Sequence, residues 1–177
     1  MKFNTRKLTA LLLLLSVLLS VFPSAVFAAE EEKMPDFFMF EGEDGIFGKE
    51  GGGDLLTLIE SEDASGGVAV TGRKTHTDPN NLGYIPLKFE FEATEDANFT
   101  FWYRTKVFSG GSDTAYFSLD DEPFEDIWIA QQSGVYDWFT WETRKVTKGK
   151  HTFNFSIRES AFTLDKVIIT ADQTYVP

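Results

Sequence analysis

The sequence predicts an all-β protein built as a two-sheet antiparallel β-sandwich of the jelly-roll kind. No window shows a convincing 3.6-residue apolar period, whereas several stretches alternate apolar and polar residues with period two. These stretches are short and are separated by clusters of Gly, Asn and Asp. They number six to nine, and their apolar faces need cover, so two sheets are expected to pack face to face.

The chain opens with Lys2, Arg6 and Lys7 ahead of the apolar run "LTALLLLLSVLLSVF", followed by Pro23 and the small residues of "SAVFAA". That order reads as a secretory signal over residues 1–28. The run is too short for a good transmembrane anchor. A secreted protein, extracellular or at a cell surface and without membrane insertion, is therefore expected. The sequence has no cysteine, which excludes disulfides, thiolate catalysis and a lipid carried on cysteine. Residues 29–36, "AEEEKMPD", read as a short acidic leader, and residues 37–177 as one domain. Lys2, Arg6 and Lys7 are three of the 16 basic residues while all 28 acidic ones come later, so the remainder holds 13 against 28, a formal charge of −15. A field of that sign repels nucleic acid and anionic lipid and attracts cations.

Along the domain, "YIPLKFEFEA" alternates Ile85, Leu87, Phe89 and Phe91 with Pro86, Lys88, Glu90 and Glu92. Pro86 puts that strand at an edge or near its start. "ANFTFWYRTKV" follows as its expected partner, with Phe99, Phe101 and Tyr103 on one face and Thr100, Trp102 and Arg104 on the other. "TAYFSLD", "WETRKV", "HTFNFSI" and "FTLDKVIIT" are further strands, and "TKGKH" supplies a Gly-containing turn between two of them. Four segments read as loops: 42–54, 71–83, 108–113 and 120–138. Loops of this length in a small sandwich are functional or mobile.

Hydrolytic and redox motifs are missing: there is no nucleophile elbow, no HExxH and no Gly-rich phosphate loop. His76 falls in a polar loop, and His151 sits on the inward phase of a strand, where a satisfied imidazole is the simpler reading. Carboxylate pairs such as "EGED" and "DDE" leave a small polysaccharide lyase or hydrolase as an alternative, although one small sandwich supplies a cleft poorly. Glu41 and Glu43, two residues apart, would project to one side of an extended strand and suit an oxygen-liganded cation. Alternating glutamates on an exposed strand would look the same.

Read in order, "FMFEGED", "SGGVAV", "FTFWYRTKVFSGGSDTAYFSLDDE", "YDWFTWE", "VTKGKHTFNFSIRESAFTLDKVIIT" and "ADQTYVP" resemble the galactose-binding-like β-sandwich of carbohydrate-binding modules, especially families 6 and 35. The resemblance runs from about residue 37 to the C-terminus. It implies a structural calcium held by a glutamate pair on the first strand and an aspartate opening the last, positions matched by Glu41, Glu43 and Asp165. Three carboxylates brought together would repel one another, so a cation would stabilise them. The carbonyls of Gly45 and the loop after it are further candidates.

The resemblance also implies a non-catalytic protein that binds a poly- or oligosaccharide on loops at one end of the sandwich. There an aromatic ring stacks on the sugar face and polar side chains bind the hydroxyls. Trp128, Tyr136 and Trp138 are the loop aromatics, with Asp113, Arg158 and Glu159 as polar partners. Trp141, Trp102 and Phe139 are expected to pack instead. A secreted enzyme or a surface complex is a possible partner, and an adhesion subunit making protein contacts through the same rings is the alternative from another class. The acidic surface disfavours anionic polymers unless Arg104, Lys106, Arg158 or a bridging calcium offsets it.

Overall fold

Along residues 87–93 the side chains of Leu87, Phe89, Phe91 and Ala93 are buried while Lys88, Glu90 and Glu92 reach solvent, so period two in the sequence becomes two faces of a strand. In this computed structural model residues 33–45, 56–73, 75 and 87–177 are described. Pro86, His76 and most of the segments 42–54 and 71–83 lie outside them. The chain divides into residues 1–34, of which only Lys33 and Met34 are described, and residues 35–177.

The second unit holds strands β1 (Phe37–Glu41), β2 (Leu56–Glu60), β3 (Val68–Gly72), β4 (Leu87–Ala93), β5 (Ala97–Lys106), β6 (Thr114–Leu119), β7 (Glu125–Trp128), β8 (Tyr136–Thr140), β9 (Arg144–Val146), β10 (Gly149–Ile157) and β11 (Thr163–Thr170). Two short 3-10 turns, Gly42–Asp44 and Ser65–Gly67, are the helical pieces among the described residues. No described helix is long and apolar enough to cross a membrane.

One sheet has seven strands in the order β2-β3-β11-β5-β8, with β1 also on β11 and β9 on β5; the other has four, β4-β10-β6-β7. Every strand pair is antiparallel. This corrects one expectation. β4 and β5, adjacent in sequence, do not pair: β4 lies against β10 and β5 against β11. The "TKGKH" turn does join two strands, carrying the chain from β9 in one sheet to β10 in the other. Period two tells which face a residue takes but not which strand lies beside it.

Between the sheets Phe89, Phe99, Phe101, Phe117, Phe153, Phe155, Phe162 and Tyr103 are fully buried. Each such side chain contributes about 1.5–3 kcal/mol from leaving water. Trp141 packs against this core, its ring centroid 5.7 Å from that of Phe101 and 5.6 Å from that of Phe117. Phe139 stacks on Tyr103. His151 is satisfied, as its strand phase suggested: Nδ1 lies 2.8 Å from an Asp120 carboxylate oxygen and Nε2 2.7 Å from the Thr147 carbonyl.

The centre of the larger sheet contains one irregularity. β11 pairs with β3 through Thr163 and Leu164 and with β1 through Lys166–Thr170, and its register against β5 shifts between Leu164 and Lys166. Asp165 stands at that bulge, fully buried, where one neighbour gives way to the other. Gly42 follows β1 there because a Cβ would sit 2.7 Å from the Leu164 carbonyl oxygen.

Candidate functional site

The inward positions of β6, Ala115, Phe117 and Leu119, belong to the core, so Thr114, Tyr116 and Ser118 occupy the outward face of the four-stranded sheet. On β10, Asn154 and Ser156 take the same face, and on β7 it is Asp126 and Trp128. Trp128 is 67% exposed, the most exposed aromatic among the described residues, yet its indole is fixed. Nε1–H donates to Asp113 Oδ2 at 2.8 Å. Gln132 Nε2 donates to the same oxygen at 3.2 Å, and Thr114 Oγ1 to Asp113 Oδ1 at 3.0 Å. Asp113 is itself buried.

Glu159 extends this network. Its Oε2 accepts the backbone N–H groups of Asp113 and Thr114 at 2.8 and 3.0 Å, while Oε1 lies 3.5 Å from Arg158 Nη1. Four of the six residues expected to bind ligand are thus joined in one bonded group: Trp128, Asp113, Glu159 and Arg158. The two carboxylates spend their oxygens on holding the loop and the ring. The flat face of Trp128 is what the group presents to solvent.

None of the three expected loop aromatics lies in a loop: Trp128 closes β7, and Tyr136 and Trp138 are on the other sheet. The latter two lie on β8, opposite Lys106 and Arg104 of β5, on the outward face of the seven-stranded sheet. The Arg104 guanidinium and the Lys106 ammonium sit 5.0 and 5.2 Å from the centre of the Tyr136 ring. The Tyr136 hydroxyl is 3.3 Å from Ser61 Oγ. Burial, with the charges of Asp165 and Asp63, raises the phenol's pKa against the opposing Ser61 hydrogen bond and Arg104 charge. A hollow of about 510 Å³ lined by Glu60, Ser61, Glu62, Gly67 and Val68 opens beside that hydroxyl. Trp128 does not line it.

The three carboxylates expected to hold a cation surround the Ser65–Gly67 turn. Glu41 ends β1, and Glu43 lies in the following 3-10 turn, so the two do not share an extended strand face as expected. Glu41 Oε1 takes Lys166 Nζ at 2.9 Å and the Ser65 hydroxyl at 3.3 Å, and a Cβ on Gly66 would sit 3.8 Å from Glu43 Oε1. Asp165 Oδ1 accepts Ser65 N–H at 2.7 Å, and its Oδ2 is bonded to the Arg104 guanidinium. Glu41 Oε2 and Glu43 Oε2 are both buried without a hydrogen-bond partner, which is the environment a cation would satisfy. Among the described residues no three His, Cys, Asp or Glu side chains converge as a metal site.

Sequence reasoning missed three participants at the loop end. Gln132 shares Asp113 with the indole, and Phe108 and Val135 are 58% and 56% exposed. Gly134, with φ of 67°, donates its N–H to the Val107 carbonyl, and a Cβ there would lie 3.7 Å from Phe108 Cδ1. Thr114, Tyr116 and Ser118 take the outward phase of β6 yet are buried, so their alternation did not mark an exposed polar face, and the pairing of Gln132 with Asp113 was not encoded by any spacing.

Compared with known proteins, the sequence matches no family profile and no curated protein. Its structure is similar to a family 35 carbohydrate-binding module from Clostridium thermocellum, with TM-score 0.57, 16% identity, and 76% of this chain covering 98% of that one. The fold is that of these modules. It is also similar to the C-terminal CBM6 of the laminarinase LamC from Zobellia galactanivorans, at TM-score 0.54, 10% identity, and coverage of 76% and 99%. A Podospora anserina GH26-CBM35 β-(1,4)-mannanase matches at TM-score 0.60 and 13% identity over 80% of this chain and 29% of that one. The chain thus spans under a third of the mannanase's length.

Proposed function

We propose that this chain is an exported, non-catalytic carbohydrate-binding protein that takes a poly- or oligosaccharide on the face of Trp128. The observation that carries the reading is an exposed indole whose one polar atom is already bonded to a buried carboxylate. Such a ring cannot swing away, so little rotamer entropy is lost when a ligand stacks on it. Its negative π face matches the weakly positive C–H face of a pyranose. The fold shared with family 35 and family 6 modules supports the same reading. Glycan-array binding should be lost in Trp128→Ala; unchanged binding would overturn the assignment.

Calcium belongs to the proposal in a narrower form than the sequence suggested. Glu41 and Glu43 fit a cation through their unpartnered buried oxygens, whereas Asp165 is committed to Arg104 and the Ser65 N–H. A hard cation there would supply charge neutralisation and tie β1 to the Ser65–Gly67 turn. Chelator should lower the thermal midpoint of the parent protein and leave that of Glu43→Gln unchanged, since a ligand bound only to the folded state stabilises it. An equal response from both proteins would remove Glu43 from the site.

A further inference from the structure

Charge is distributed unevenly along the segment that carries Trp128. From Val107 to Thr143 the chain contains eight carboxylates, those of Asp113, Asp120, Asp121, Glu122, Glu125, Asp126, Asp137 and Glu142, and no Lys, Arg or His. Asp126 is exposed and lies two residues from Trp128 on the same outward face. Among the described residues, Arg144 is paired with Glu125 and Glu142, Lys106 with Asp63 and Arg104 with Asp165, while Arg158 lies 3.5 Å from Glu159 and Arg73 donates to Thr57. Lys150 shares the outward face but lies at the far end of β10, four residues from Asn154. Lys88 shares the outward face but lies on β4, three strands from β7. At about 4.8 Å per strand that is roughly 14 Å, beyond the screening length of physiological salt.

We infer that the Trp128 platform is selective for uncharged glycans and rejects those carrying carboxylate or sulfate groups. The indole N–H is occupied by Asp113, so it cannot reach a ligand carboxylate. Thr114, the residue opposite Trp128 on β6, is neutral and buried, so it adds no positive charge to the platform. Like charge beside a binding surface acts as a repulsive filter, setting which partner is refused more than how tightly the right one is held.

The inference rests on Trp128 being the platform, and affinity electrophoresis separates the two claims. The gels would contain a soluble mannan, a soluble β-1,3-glucan or polygalacturonate, run at low salt with EDTA so that no calcium bridges carboxylates. The expected result is retardation by at least one uncharged polymer, lost in Trp128→Ala, with polygalacturonate bound at least about tenfold more weakly. Raising salt, or the exposed change Asp126→Lys, should narrow that gap. Polygalacturonate bound through Trp128 as tightly as the uncharged polymers would overturn the selectivity while leaving the platform standing. Retardation unaffected by Trp128→Ala, or by no polymer at all, would overturn the platform and the selectivity with it.

Discussion

Trp128 and Trp141 are the same residue used in opposite ways. Trp141 packs edge-on against Phe101 and Phe117, with the Arg144 guanidinium 4.4 Å from its ring centre on the outer side. Trp128 touches solvent over most of its surface and is held by one hydrogen bond to Asp113. The difference shows that the backbone phase decides the role: Trp141 follows the end of β8 toward the core, while Trp128 takes the outward phase of an edge strand. One ring is a structural element and the other a surface held ready.

The contrast can be broken most severely at Trp141. Trp141→Ala should destabilise the fold by about 3 kcal/mol by leaving a cavity beside Phe101 and Phe117. Trp128→Ala should cost less than about 1 kcal/mol, because Gln132 and Thr114 still donate to Asp113. Urea unfolding of the two variants measures both; equal losses would erase the distinction.

A smaller effect is expected at Asp113. Its carboxylate accepts three side-chain hydrogen bonds, and an asparagine amide would turn a donor toward one of those donors. Asp113→Asn should therefore lose about 1–3 kcal/mol of stability. It should also weaken glycan binding severalfold by loosening the Trp128 ring. Unchanged affinity in the folded variant would show that the ring needs no anchor.

The smallest effect concerns His151. Burial lowers the pKa of its imidazole, but the hydrogen bonds to Asp120 and the Thr147 carbonyl, with the Asp120 charge, outweigh burial and hold it above the ordinary value. A raised folded-state pKa adds stability that is fully present below the unfolded value of about 6.5 and disappears as pH rises through the folded value. The thermal-midpoint gap between the parent and His151→Gln should be wider near about pH 5.5 than near about pH 8.5. A constant gap would mean that the imidazolium plays no part.

Much of the fold was readable because burial follows period two: Phe89 and Phe91, Phe99 and Phe101, and Phe153 and Phe155 all face inward as their alternation required. Strand partners were not readable, since β4 and β5 alternate equally well whether they pair or lie in opposite sheets. At the site, Trp128, Asp113, Arg158 and Glu159 were named from residue type and do come together, but as a supporting network that no spacing encodes: Glu159 lies 46 positions from Asp113. Tyr136 and Trp138 were assigned to a loop because residues 120–138 read as one irregular stretch with the next strand opening at Trp141. The five-residue strand Tyr136–Thr140 instead carries both rings on the seven-stranded sheet.

The most direct test of the central claim is a side-by-side glycan titration of the parent, Trp128→Ala and Trp138→Ala. The account predicts that Trp128→Ala loses about 2 kcal/mol or more of binding free energy, as a central aromatic anchor does, while Trp138→Ala binds like the parent. Binding kept by Trp128→Ala and lost by Trp138→Ala would contradict it.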